Sequence, residues 1–362
     1  MIKKYYSNVD VVTTARQRIK NIFRTAPKVY LSVSGGKDSI VLNDLIFKMC
    51  QNGTIDKSKL QVVFIDEEAI YPCVEKIVKN MRLAWLSLGV EFIWWCIECR
   101  HYNCFNQLTN DESFICWDRF KKDVWVRQMP PFAKTSHPLF KPRQDSYQQF
   151  LTRYTKDGVS LIGVRVNESM QRANALASRT DPLVMYPIYD FTDKDIWRYI
   201  RDNNLDIPNA YLYLYQCGRG KNKMRLSQFF SVDTAKDLVN MCEYYPDLFN
   251  KICKREPNAY IAMLYYDTEL FRRTKERKKN SEEDNIDYKA KVLERLYDDK
   301  FFETKSAKET QRNYSNIIIK FGPMLTREHY KKIYTALVGG DPKGRAFRAL
   351  FAEVGKSIRN EV

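Results

Sequence analysis

Apolar residues recur along this chain in two rhythms. Short runs in which nearly every position is apolar, Val29–Val33, Leu60–Ile65, Val90–Trp95 and Val159–Gly163, predict strands buried on both faces. Between them the spacing changes to that of helices: Val11, Val12, Ala15, Ile19, Ile22 and Phe23 over residues 10–24, and Val74, Ile77, Val78, Met81, Ala84, Trp85 and Leu88 between Pro72 and Gly89. Strands alternating with helices predict a doubly wound α/β domain with a mainly parallel sheet. From Ser231 onward the pattern is helical and the glycine turns of α/β architecture disappear. We therefore expect an α/β domain over residues 1–230 and a helical C-terminal region over 231–362, ending in two amphipathic helices around Tyr330–Val338 and Phe347–Val354.

One stretch joins the two rhythms with a polar turn. Val29–Val33 runs into Ser34-Gly35-Gly36-Lys37-Asp38-Ser39 and then into Ile40, Val41, Leu45 and further residues at helical spacing. Paired glycines let the backbone turn and approach a ligand closely, and the free N–H groups of an opening helix attract anions. Lys37 adds a charge, and Ser34 and Ser39 add hydroxyls. The combination points to phosphate. It is not a Walker loop, which needs G-x-x-x-x-G-K-[ST], so kinase and GTPase chemistry is disfavoured. The six residues resemble the PP-loop of the ATP pyrophosphatase superfamily, adenine nucleotide alpha hydrolase-like proteins that include the phosphoadenosine-phosphosulfate (PAPS) reductases.

A second stretch carries the same resemblance. After the strand at Val159, Gly163, Arg165, Glu168, Ser169 and Arg172 match the G-x-R-x-x-E-S-x-x-R segment of the PAPS reductase family. Guanidinium groups at a strand end suit bidentate phosphate contacts, and Glu168 could orient one of them; read plainly, Ser169 caps a surface helix. Further on, Thr192 and Asp195 form a capping-box variant, and the helix they start is assigned packing and no chemistry. The tryptophan-rich insertion and the segment after Gly220 are similar to proteins related to immunoglobulin-binding regulator A. Arg225 there is either a phosphate contact or a surface arginine.

Composition narrows the classes. The 362 residues, 44% hydrophobic, are enough for one large domain or two ordinary ones. The N-terminus is polar, and no apolar stretch approaches membrane-spanning length, so we expect a soluble, cytoplasmic protein without a membrane partner. Nine scattered cysteines predict reduced thiols rather than a disulfide framework. The net charge of +16 suits an anionic substrate and leaves room for a nucleic acid, tRNA or DNA, as acceptor.

Three features stay open at this level. Asp66, ending the second predicted strand, is placed by topology beside Ser34–Ser39, where the resemblance puts an acidic residue near the nucleotide; it reads equally as a helix cap, and Glu67 and Glu68 are weaker candidates. Cys96 and Cys99, with Cys104, His101 and Cys116 nearby, could supply four metal ligands, but the second spaced pair of a zinc site is missing, and no metal site is assigned. The segment Cys116–Pro131 interleaves tryptophans with cations, as a base-stacking surface or as filling for a lid beside the nucleotide.

The resemblance implies an enzyme that binds ATP or PAPS, with Mg²⁺ as companion. Lys37 and the loop amides would hold phosphates, Asp38 and Asp66 would help place Mg²⁺ or the nucleotide, and Arg165 and Arg172 would neutralise developing charge. The first expectation is adenylylation of an acceptor with release of pyrophosphate. A sulfonucleotide reductase using an external thiol is the alternative, weakened because the E-C-G-x-H cysteine of those enzymes is absent; Gln216-Cys217-Gly218-Arg219 lacks the Glu and the His. A regulator that senses nucleotide or binds DNA without turnover is a third, and the C-terminal helices offer a surface for a protein partner.

Overall fold

The computed structural model describes residues 9–106, 113–166, 183–218, 224, 226, 229–230, 237–265, 286–298, 302, 305–339, 341 and 344–360. Glu168, Ser169, Arg172 and Arg225 lie outside the described residues.

Helix α1 (Val11–Thr25) opens on Asp10, whose carboxylate accepts from the Thr13 amide, and buries Ala15, Ile19 and Phe23. Strand β1 (Val29–Val33) follows, then helix α2 (Lys37–Gln51), β2 (Leu60–Ile65), α3 (Pro72–Ser87) and β3 (Glu91–Trp95). Short strands β4 (Arg100–Tyr102) and β5 (Ser113–Ile115) pair as a separate ribbon. Helix α4 (Tyr147–Tyr154), started by a capping box at Ser146 and Gln149, leads to β6 (Val159–Ile162) and β7 (Val184–Met185).

The large sheet has the order β3-β2-β1-β6-β7, and each neighbouring pair is parallel. Leu31 of β1 stands opposite Val62 on one side and Leu161 on the other. All three side chains are buried, as the continuous apolar runs require. The strand order reverses between β1 and β6. In such sheets the crevice outside the carboxyl ends at the reversal is where ligands bind.

Packing fixes α2 over the sheet. Trp85 of α3 is fully buried, meets Phe47 edge-on, and donates from its indole N–H to Asn43 Oδ1 at 2.8 Å. The Thr192–Asp195 capping box is formed and opens helix α5 (Asp193–Asp202); α6 (Ala210–Gln216) follows. Helices α7 (Asp237–Tyr244) and α8 (Pro246–Arg255) belong to the same compact unit, which takes in residues 1–102 and 114–263. Helix α9 (Asn258–Tyr265) comes next.

The second unit comprises residues 103–113 and 264–362. Its helices are α10 (Tyr288–Tyr297), α11 (Lys305–Phe321), α12 (Arg327–Gly339) and α13 (Arg345–Asn360). They share a core of Val292, Tyr314, Ile317, Ile333, Leu337 and Val354. Asp341 caps α13, accepting from the amides of Arg345, Ala346 and Phe347. Among the described residues no helix is long and apolar enough to cross a membrane.

Candidate nucleotide site at the strand-order reversal

The polar turn after β1 is built by close approach. Gly35 has φ +72°, and a Cβ there would stand 2.8 Å from Val74 Cγ1, so both conformation and space call for glycine. Gly36 is the N-cap of α2, which begins at Lys37. Ser39 reaches back so that its hydroxyl accepts from the Ser34 amide at 2.9 Å, closing the loop on itself. At the end of β6, a Cβ on Gly163 would lie 2.9 Å from the Asp38 carbonyl oxygen. The two sequence motifs are therefore in direct contact across the reversal point.

Charges gather there in alternation. Arg165 Nε lies 2.6 Å from Asp38 Oδ1, and its NH2 is 3.2 Å from Asp193 Oδ1. Lys37 Nζ is 3.7 Å from Asp38 Oδ2 and 3.8 Å from Asp193 Oδ1, and donates to the Met224 carbonyl at 3.2 Å. Lys37 and Arg165 are both buried. The Lys37 amide, in the first turn of α2, donates to the Tyr211 hydroxyl oxygen at 2.8 Å. Burial, first of all, pushes the Tyr211 phenol well above its ordinary pKa, so it stays neutral. Sequence reasoning missed Asp193 and Tyr211. Asp193 sits right after a legible helix cap and reads as an ordinary first-turn acid; Tyr211 has no local signal at all.

Asp66 has a different setting. It is fully buried, accepts from the Trp94 indole at 2.7 Å and from the Glu68 amide at 3.0 Å, and pairs with Arg127. It does not cap α3, whose N-cap is Tyr71. Glu68, at φ +66°, is also fully buried: it accepts from the Trp117 and Val126 amides and pairs with Arg255 Nε at 2.9 Å. Burial pushes its carboxyl above the ordinary range, with Arg255 pulling the other way. The tryptophan-rich segment supplies this packing. Trp117 is buried and donates to the Asp66 carbonyl, and Trp125 meets it edge-on.

The cysteines divide. Cys96 is a core residue whose thiol is driven up by burial. Cys99, His101 and Cys116, by contrast, bring their ligand atoms within 4.8 Å of one another. The Cys99 thiol is drawn down, chiefly by the neighbouring Cys116 and also by His101, against burial. This trio differs from the Cys-x-x-Cys pairing that the sequence offers, because neither Cys96 nor Cys104 takes part.

The family model of the phosphoadenosine phosphosulfate reductase domain matches residues 105–218, a span that holds Gly163, Arg165, Asp193 and Tyr211 and starts after the Ser34–Ser39 turn. An uncharacterized protein of Escherichia coli (strain K12), YbdN, is 27% identical over 283 residues, 71% of this chain and 68% of that one. Among solved structures, a PAPS reductase from Candida auris in a phosphate complex aligns with TM-score 0.34 and 14% identity, covering 63% of this chain and 98% of that one. The FMN adenylyltransferase of Candida glabrata aligns with TM-score 0.32 and 16% identity over 58% of this chain and 63% of that one. Over residues 105–218 the chain is thus similar to the phosphoadenosine phosphosulfate reductase domain, and the loop of Ser34–Ser39 meets that span where Asp38 lies against Gly163.

Proposed function

We propose that the chain is an enzyme that binds an adenine nucleotide with its phosphates against Ser34–Ser39 and Arg165, and transfers the adenylyl group to an acceptor with release of pyrophosphate. The observation that carries this reading is the meeting of the β1 turn with Gly163 and Arg165 at the strand-order reversal.

The charge arrangement suits a ligand that comes with its own charges. Among the described residues Lys37 and Arg165 are faced by Asp38 and Asp193. A polyphosphate draws the two cations toward itself, and the Lys37 amide then exchanges the Tyr211 hydroxyl for a phosphate oxygen. The carboxylates released from their partners are hard oxygen donors, which fits a Mg²⁺ ion arriving with the nucleotide. Asp38 and Asp193 would hold it, as one or two carboxylates beside substrate phosphates typically do. Bound there, Mg²⁺ supplies charge neutralisation at the phosphates. The chain's own part is positioning and electrostatics: Lys37 and Arg165 stabilise the charge that grows on the departing pyrophosphate. Arg172, Glu168 and Ser169 remain candidates from the sequence motif, and Asp66 acts through the packing of the neighbouring turn rather than on the ligand.

The test is incubation with ATP and Mg²⁺, with and without tRNA or DNA, assayed for pyrophosphate. Acceptor-dependent release is the expected result. Sulfite release from PAPS with a thiol donor would instead mark a sulfonucleotide reductase. Tight nucleotide binding without either product would mark a regulator.

A further inference from the structure

The cluster of Cys99, His101 and Cys116 lies in a part of the fold that the nucleotide reading does not use. Its assembly follows from strand geometry. Cys99 precedes β4 and His101 sits within it, two residues apart, so both side chains project from the same face of the ribbon. Cys116 directly follows β5, and its amide donates to the Cys99 carbonyl at 3.0 Å, which sets it opposite Cys99. Cys99 and Cys116 are fully buried and His101 nearly so. Glu67, on the turn after β2, lies beside the trio: its Oε1 stands 3.7 Å from His101 Nε2, and its backbone carbonyl accepts from the Cys116 thiol at 3.4 Å.

The Cys99, His101 and Cys116 donors are close enough together to meet around one small ion. With Zn–S of ~2.3 Å and Zn–N of ~2.05 Å, the edge of a tetrahedron between sulfur and nitrogen is ~3.5 Å. The Cys99 Sγ to His101 Nε2 distance is 3.5 Å. The soft thiolates and the imidazole select zinc over Mg²⁺ or Ca²⁺, and the burial of the donors matches a structural rather than a catalytic site.

We propose that Cys99, His101 and Cys116 bind one structural Zn²⁺, with the Glu67 carboxylate turning in from beside His101 as the fourth ligand, and that the ion pins the β4–β5 ribbon to the turn after β2. Coordination replaces the two thiol protons, which are released, and no electron transfer is involved. The ion sits one residue from both Asp66 and Glu68, so it holds the buried turn on which both are displayed. The site was unreadable as a spaced pair because its ligands come from three segments.

Metal analysis of the full chain, purified under reducing conditions without chelator, is the direct test. The expected content is about one zinc per chain, falling at least about tenfold in Cys99→Ser and Cys116→Ser and unchanged in Cys96→Ser. Should the serine variants fail to fold, cobalt added to the zinc-stripped wild-type chain gives an independent readout. Thiolate-to-cobalt charge-transfer absorption with tetrahedral ligand-field bands is expected, together with release of zinc as two thiols are blocked by a mercurial. Reduced wild-type chain that takes up neither zinc nor cobalt, a Cys99–Cys116 disulfide in freshly purified protein, or zinc retained in both serine variants would each overturn the proposal. Because none of these readouts involves nucleotide, their failure is separable from failure of the nucleotide site.

Discussion

Two neighbouring strand ends in this molecule carry polar turns, and their charges are held in different ways. After β1, Ser34–Ser39 keeps its charges in an alternating cage with Arg165 and Asp193, held by distances of up to 3.8 Å that a ligand can rearrange. After β2, Asp66 and Glu68 are fully buried and spent on Trp94, Trp117, Arg127 and Arg255. Topology places both at the ligand-binding edge of the sheet. An acid at a strand end is thus a site only when its partners leave capacity for something else, and burial with several protein donors removes it.

The comparison breaks most easily at the second turn. Glu68→Gln leaves the Arg255 guanidinium, 2% exposed and stacked over the Phe114 ring, without its counter-charge. A loss of about 3–5 kcal/mol in unfolding free energy is expected, read by urea titration. A loss under about 1 kcal/mol would mean that the network carries little. Gly163→Ala comes next. Its Cβ would press on the Asp38 carbonyl, costing about 1–3 kcal/mol of stability and displacing the loop. Nucleotide affinity should therefore fall more in Gly163→Ala than in Glu68→Gln measured below its unfolding range. Equal affinities would separate the loop from the ligand.

These contrasts bear on what was legible in the sequence. The sheet strands and their flanking helices were readable because each is a local pattern: Val29–Val33 and Leu60–Ile65 are apolar at all but one position each, and Thr192 with Asp195 is a complete start signal. The turn of Ser34–Ser39 was readable as a candidate phosphate loop because its glycines, lysine and hydroxyls are contiguous. What was not readable depends on distant partners. Whether Asp66 faces a ligand is decided by Trp94 and Arg127; Asp193 enters the cage only because β6 sets Arg165 beside it. Cys99, His101 and Cys116 meet through ribbon pairing that no spacing rule encodes.

Two smaller effects sharpen the contrast. Tyr211→Phe removes the hydroxyl that accepts from the Lys37 amide, freeing that amide for a phosphate oxygen. An affinity gain of about fivefold, ~1 kcal/mol, is expected by calorimetry, and a loss would mean that the hydroxyl helps to hold the ligand. At the opposite end of β1, Tyr30 donates to Asp157, which holds that carboxyl below its ordinary range. The folded pKa is depressed, so the contribution is present above the unfolded value of about 3.9 and is lost as pH falls through the folded one. Asp157 is largely exposed, so Asp157→Asn should flatten the acid limb of the stability profile by less than about 1 kcal/mol, without changing nucleotide affinity.

The central claim is that an adenine nucleotide sits at the turn between β1 and α2, and titration calorimetry of the full chain with ATP, AMP and PAPS in the presence of Mg²⁺ tests it most directly. The account predicts one nucleotide bound per chain, with affinity falling about tenfold or more, ~1.4 kcal/mol, in a folded Lys37→Ala chain. Absence of binding for all three nucleotides, or affinity unchanged when Lys37 is removed, would contradict it.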